Sequence, residues 1–375
     1  MRTSPLLLFI AALSPATCAT RSLPLGDAER GQALFQSLDC IVCHSLNGVG
    51  GHKAPDLARN RDRGFSPCDM VALMWSRAPA MWAAMTRQGL VRPALDQQQA
   101  ADLFILFYAA SDFQAPGDSK RGRRLFLTRR CGQCHGIQSP TRAGIRPVAE
   151  WESLADPIAL AQPMWNHSGE MASALERSKL PSPLFSAQEL TDLLRWLRNT
   201  RPDLSPAGFA PASSQIGRTL LVSKGCAKCH RGALTLESQS TRYGLTEFAA
   251  ALWNHPFLTG QQTPLSLEET RHLVGYLIAT QFFEERGDPV QGQRVYKRKR
   301  CGVCHDNPST GAPARAAMAG RMTSYGLVAA LWKHGPDMMD RMRRQQIAWP
   351  HFEGPEMANL SAYLSGPQFK RRPSP

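Results

Sequence analysis

Apolar positions in this chain recur with a helical period, and the pattern comes round four times. A glycine is followed three and four positions later by an apolar pair: Gly31 with Leu34-Phe35, Gly122 with Leu125-Phe126, Gly217 with Leu220-Leu221 and Gly292 with Val295-Tyr296. That spacing predicts a short helix with one apolar face. Further on, each repeat carries a tryptophan block: LMWSRAPAMWAAM from Leu73, PMWNHSGEMASAL from Pro163, ALWNHPFLTGQQT from Ala251 and ALWKHGPDMMDRM from Ala330. Met74, Met164, Leu252 and Leu331 precede the tryptophans and read as core. A proline stands eighteen residues after Trp75, Trp165 and Trp332, but only eleven after Trp253. The third repeat has therefore lost about two helical turns. Each repeat closes with another apolar-periodic helix, over Gln97 to Ala110, Ala187 to Arg198, Leu267 to Gln281 and Glu356 to Leu364. Asp96, Ser186 and Ser266 are the expected N-caps.

Loop signals separate the repeats at Gln114-Ala-Pro-Gly, at the Pro/Ser/Ala-rich stretch from Arg201 to Ser214, and at Gly287-Asp-Pro. The expectation is an all-α chain of four tandem units, at 26–113, 114–203, 212–285 and 286–369. Units of about 70 to 90 residues are marginal alone and call for something besides side chains in the core. Ahead of them, residues 1–19 read as a secretory signal peptide: a basic start at Arg2, an apolar run from Leu6 to Leu13, then small residues. A lipid anchor at Cys18 is the rival, against which Pro15-Ala16-Thr17 is a poor lead-in. No other stretch is apolar for long enough to span a bilayer. The expected location is periplasmic or otherwise exported.

Eight of the ten cysteines fall into one pentapeptide, placed nine residues after each conserved-offset glycine. The copies are Cys40-Ile-Val-Cys43-His44, Cys131-Gly-Gln-Cys134-His135, Cys226-Ala-Lys-Cys229-His230 and Cys301-Gly-Val-Cys304-His305. Cys-x-x-Cys-His is the c-type haem attachment signature. Two cysteines three apart share a helical face, so both sulfurs reach the two vinyl groups of one porphyrin, and the next histidine sits under the iron. A zinc knuckle usually needs two ligand pairs per metal, and a redox Cys-x-x-Cys has no use for the following histidine. The cofactor expected is four covalently bound haem c groups.

Taken together, the glycine, the apolar pair, Cys-x-x-Cys-His, the distal segment and the closing helix resemble the class I cytochrome c domain, repeated over nearly the whole mature chain. The resemblance implies a haem clamped between an N-terminal and a C-terminal helix. It also implies a proline carbonyl accepting the proximal imidazole N–H, a role Pro55 and Pro147 fit; Pro313 lies closer to its motif than expected, and the third unit has no candidate. The sixth ligand is open between two columns one helical turn apart: Arg77, His167, His255 and His334, and Met81, Met171, Thr259 and Met338. Class I relatives use methionine, so Met81, Met171 and Met338 are expected, with core packing as the alternative role. His255 is expected in the third unit, with His272 or an open site as alternatives. For His167 and His334 the alternative is a hydrogen bond to a propionate or a carbonyl. The recurring tryptophans are explained by packing on porphyrin. His52 and His351 read as surface residues and Cys68 as a buried small residue.

Lys and Arg number 44 against 30 Asp and Glu, a net charge of +14 over 375 residues, with Arg129, Arg130 and Lys297 to Arg300 beside haem motifs. No nucleic-acid-binding motif accompanies them. The expected partner is an acidic redox protein or a membrane redox complex, although a merely solvated basic surface would have the same composition. Function is expected to be single-electron transfer between partners. The alternatives are a haem enzyme reducing peroxide or a nitrogen oxide at an open third site, and a haem-bearing subunit of a larger redox complex.

Overall fold

A computed structural model describes residues 24–59, 65–111, 114–203, 209–236, 243–260, 263–281 and 287–366; the expected signal peptide and Cys18 lie outside them. The described residues form fourteen α-helices and one two-stranded hairpin, Ser45–Leu46 against Val49–Gly50. Four crossed helix pairs organise them. α1 (Ala28–Ser37) packs on α3 (Gln97–Ala110), α4 (Ser119–Thr128) on α6 (Ala187–Arg198), α7 (Ser214–Ser223) on α9 (Leu267–Gln281), and α10 (Pro289–Arg298) on α14 (Gly354–Ser365). A long helix lies between the members of each pair: α2 (Pro67–Arg87), α5 (Pro157–Arg177), α8 (Leu245–Thr259) and α13 (Ser324–Arg344). The single turns α11 (Gly302–His305) and α12 (Arg315–Met318) belong to the fourth repeat.

The recurring glycine marks where the paired helices touch. A Cβ on Gly31, Gly122, Gly217 or Gly292 would come within 2.3, 2.1, 1.9 or 1.9 Å of a backbone oxygen, that of Asp102, Asp192, His272 or Asn359 respectively. The side chains of those same four residues then accept a hydrogen bond from the amide at the start of the first helix. The bonds are Asp27 N to Asp102 Oδ1 (2.8 Å), Asp118 N to Asp192 Oδ1 (2.7 Å), Ser213 N to His272 Nδ1 (2.9 Å) and Asp288 N to Asn359 Oδ1 (2.7 Å). Amides at a helix start lack intrahelical partners, so this bond satisfies a donor and fixes the crossing at once. In the first two repeats an arginine adds a forked ion pair, Arg30 to Asp102 and Arg121 to Asp192.

Helix limits follow local chemistry. α3, α6 and α9 span the stretches the periodicity predicts, and the amides of Gln99, Glu189 and Glu269 donate to Asp96, Ser186 and Ser266. The fourth closing helix starts two residues earlier than expected, at Gly354. Pro355 lies in its first turn, where proline is tolerated because its missing N–H has no helical partner to lose. The seven residues absent from the third repeat shorten the distal end of its long helix. α8 has 15 residues against 21 in α2, α5 and α13, and all four begin eight residues before their tryptophan.

Long helices also join the repeats in pairs, α5 on α8 and α2 on α13. A buried carboxylate links the first repeat to the third: Asp27 caps α1 by accepting from Arg30 N (3.0 Å) and also accepts from Ser213 Oγ and Ser214 N at the start of α7 (both 2.9 Å). Burial works to raise this carboxyl, but the Arg30 amide, the Ser213 hydroxyl and the Arg30 charge outweigh it and hold it below the ordinary value. No helix among the described residues is long and apolar enough to cross a membrane.

Two outcomes are expected in denaturant titrations. Gly217→Ala should lower stability by about 3 kcal/mol, because the methyl group meets backbone that cannot step aside. Asp27→Asn should be destabilised above about pH 4, where the wild-type carboxylate contributes fully. As pH falls through the lowered folded pKa that contribution disappears, so wild type and variant should converge in acid. A constant difference down to pH 2 would contradict the assignment.

Candidate haem-binding sites

Each Cys-x-x-Cys-His motif is entered through a left-handed residue, Asp39 (φ 58°), Arg130 (58°), Gly225 (80°) and Arg300 (61°). Three of the four accept this without being glycine, a strain that the tight turn behind them must hold. In that turn the histidine amide donates to the carbonyl of the first cysteine: His44 to Cys40 (2.9 Å), His135 to Cys131 (2.9 Å), His230 to Cys226 (3.0 Å) and His305 to Cys301 (3.0 Å). Both sulfurs and the imidazole are thus carried on one rigid turn. Burial pushes the first thiol up to about 11 at Cys40, Cys131 and Cys301, and upward at Cys226.

The motif imidazoles are oriented differently from repeat to repeat. His44 Nδ1–H donates to Pro55 O (2.8 Å), as the resemblance implied, and His305 does the same to Pro313 (2.9 Å), which had looked too near in sequence. The compact turn Pro308–Thr310 brings Pro313 within reach. In the third repeat the acceptor is Leu234 O (3.2 Å), supplied by the turn Gly232–Leu234 with no proline needed. Pro147 does not take the expected role: His135 Nδ1 is buried with no hydrogen-bond partner, and its ring packs edge-on against Trp151, centres 5.2 Å apart. Burial, then the neighbouring His167, pushes the His135 pKa down to about 4, so the ring is held neutral, the form that coordinates a metal.

Two histidines of the long helices lie close to motif histidines. The His167 ring centre lies 6.4 Å from that of His135, and His255 lies 6.0 Å from His230. A metal–nitrogen bond of about 2 Å, with about 1.1 Å from nitrogen to ring centre, would put two imidazoles on opposite sides of one metal about 6 Å apart, and the two ring separations are compatible with that. Among the described residues no three His, Cys, Asp or Glu converge as a metal-binding group. A four-ligand zinc centre has no donor set there, whereas each imidazole pair could hold the iron of one haem. His167 Nδ1–H donates to Pro163 O (2.7 Å), and His255 Nδ1 lies 3.3 Å from Thr259 Oγ1, whose hydroxyl donates to His255 O (2.8 Å). Thr259, standing where methionine was expected, is therefore placed to fix the imidazole. Met81, Met171 and Met338 are half-buried, while Arg77 and His334 of the histidine column are exposed. Met81 packs in a cluster with Trp82 and Trp332.

The alternative ligand His272 is committed elsewhere, its Nδ1 accepting from Ser213 N inside the α7–α9 crossing. His52 and His351 are exposed, and Cys68 is fully buried in the first turn of α2.

Beside the porphyrin packing expected of the tryptophans, the indoles of Trp165 and Trp253 reach across repeats. Trp165 Nε1–H donates to Thr263 O (2.7 Å) and Trp253 Nε1–H to Pro183 O (2.8 Å). The next residues repeat the exchange: Asn166 bonds both N–H and C=O of Leu265 (3.0 and 2.8 Å), and Asn254 those of Phe185 (3.0 and 2.8 Å). The second and third repeats are thus clamped reciprocally. Between the first and fourth only half of the clamp survives, Phe352 N to Ser76 Oγ (3.0 Å), because Lys333 replaces the amide. Tryptophans fill the gap: Trp75 stacks on Trp349 (5.7 Å), and Trp82 meets Trp349 and Trp332 edge-on. Pro79 withdraws the helical partner of Trp75 O, and Trp349 Nε1–H takes that carbonyl (2.9 Å). The Asn column was visible in the sequence as Trp-Asn-His, but a residue one position from a candidate ligand gave no sign of pointing to another repeat.

Residues 28–104 match the family model described as Cytochrome c. That stretch has the character of a cytochrome c domain, which binds haem c covalently and transfers electrons. No curated protein and no solved structure matches the chain.

Asn166→Ala removes both of its bonds to the Leu265 backbone and leaves the Leu265 amide unpaired, while the carbonyl keeps its bond from Gln162 Nε2 (2.6 Å). The expected cost is about 2 kcal/mol in denaturant titration, with faster hydrogen exchange at Leu265. Unchanged exchange there would show that the clamp is not formed.

Proposed function

We propose that this chain is an exported tetrahaem c-type cytochrome that passes single electrons between redox partners. What carries the reading is the fourfold recurrence of one backbone setting, a left-handed entry, a tight Cys-x-x-Cys-His turn and a helix crossing behind it, of which the first copy lies in the stretch matched by the cytochrome c family. Cys40 and Cys43, Cys131 and Cys134, Cys226 and Cys229, and Cys301 and Cys304 would hold the four haems through thioethers, with His44, His135, His230 and His305 as proximal ligands. Met81, Met338 and His255 are the sixth ligands at the first, fourth and third sites; at the second, Met171 and His167 stand one turn apart on the same helical face. Haem iron supplies the one-electron chemistry, and the chain holds the ligands, orients the imidazoles and excludes water.

The two other functional readings concern the third site and the surface. An open third site would suit reduction of peroxide or a nitrogen oxide, but His255 beside His230 favours a closed one and therefore transfer. The basic residues next to the second and fourth motifs suit an acidic redox protein or an acidic face of a membrane complex.

Mass spectrometry of the mature protein should find four haems, and replacing the cysteine pair of any one motif by alanine should remove one of them. The reduced protein should bind no carbon monoxide. Fewer than four haems would overturn the tetrahaem reading, and carbon monoxide binding at the third site would favour the enzyme.

A further inference from the structure

We propose that the second haem is closed by His167, not by Met171, so that the second and third repeats form a pair of bis-imidazole haems while the first and fourth repeats carry His/Met haems. The inference rests on the tetrahaem reading and concerns the ligand set of one of its sites.

Three observations carry it. His167 faces His135 at 6.4 Å between ring centres, almost the separation of His255 from His230, and both fit trans imidazoles on one metal. The His167 Nδ1–H is committed to Pro163 O, which fixes the tautomer and leaves Nε2 with the lone pair a metal ligand needs. Finally, each facing histidine directly follows a Trp-Asn pair anchored in the opposite repeat, Trp165-Asn166 on residues 263–265 and Trp253-Asn254 on residues 183–185. Where the asparagine is lost, to Ser76 and Lys333, the next side chain, Arg77 or His334, is exposed.

The asparagine clamp is therefore a positioning device. Two hydrogen bonds to a neighbour's backbone fix the helix rotation at the residue before the histidine, and the imidazole is held over the proximal ring without having to be ordered on binding. Trp165 adds to this from the second repeat by packing its ring 5.2 Å from that of His255. In the first and fourth repeats the corresponding helix ends are set differently. The C-cap residues Gln88 and Gln345 touch the second cysteine of their motifs, at 3.4 Å from Cys43 Sγ and 3.8 Å from Cys304 Sγ.

The test uses the full-length haem-loaded protein, oxidised, with near-infrared magnetic circular dichroism and electron paramagnetic resonance. Two bis-imidazole and two thioether-ligated haems are expected in wild type. His167→Ala should lose one of the two bis-imidazole signals and give one high-spin haem that binds carbon monoxide when reduced, with added imidazole restoring the low-spin state. Met171→Leu should leave all four signals intact. If instead wild type shows three thioether-ligated haems, and Met171→Leu removes one of them while His167→Ala leaves every haem low-spin, the assignment is overturned. Haem content separates this from failure of the underlying reading. Four haems with the wrong ligands defeat the His167 assignment alone, whereas a missing haem at Cys131 and Cys134 defeats both.

Discussion

Everything in this molecule hangs on a helix crossing so close that only glycine fits. At each of the four crossings the glycine of the first helix rides on a backbone carbonyl of the last, and the side chain at that carbonyl's own residue bonds the first helix's leading amide. Steric contact sets the distance and a directional bond sets the angle. The first helix then runs straight into the turn that carries the two cysteines and the histidine, so the crossing aims the motif. A crossing that slipped by one residue would rotate the sulfurs and the imidazole by about 100° around the helix. That explains why the glycine keeps a constant offset from the first cysteine even where little else in the repeats agrees.

The helices were legible in the sequence because their signals are local: apolar period, capping side chains and proline. So was the recurrence of the attachment motif, since covalent chemistry demands fixed residue types at fixed spacing. What escaped was whatever depends on a second segment. Asp102, Asp192, His272 and Asn359 share a structural position but no chemical type, and only the amide they all bond makes them equivalent. His272, an alternative metal donor seen from the sequence alone, is engaged in the crossing through Nδ1 for that reason. Leu234 could not have been named as an acceptor for His230, because any residue supplies a carbonyl and only the turn decides which one. The tryptophans were expected to pack on porphyrin, where an aromatic ring has an obvious use, and nothing local showed that the N–H groups of Trp165 and Trp253 bond carbonyls of the neighbouring repeat.

Pairing of the repeats has a further consequence for the distal helices. Where two repeats clamp one another through backbone carbonyls and amides, the helix is pinned near its middle, and its remaining length matters less. The third repeat can accordingly do without the last two turns of α8 and still present His255. The first and fourth repeats lack the full clamp and keep full-length helices, joined by tryptophan contacts that specify area more than direction. On the proposed assignment, side-chain choice at the site would track the interface: a rigid, directional imidazole would go with a pinned helix, and a flexible thioether, which adapts through three rotatable bonds, with a softer one.

The division would also order the electrons. A thioether stabilises reduced iron relative to a second imidazole, so His/Met haems lie at higher potential than bis-imidazole ones, other influences being equal. If the clamp between the second and third repeats selects imidazole, it selects low potential at those two sites together, and the first and fourth sites become the natural resting places for electrons. Trp165 would give that pair a packed connection, because it stands two residues from His167 and its ring lies against His255. On the proposed ligand set, the interface that holds two repeats together would also determine which two haems behave as a unit. A mutation at Asn166 or Asn254 would act on stability and on potential through the same pair of hydrogen bonds.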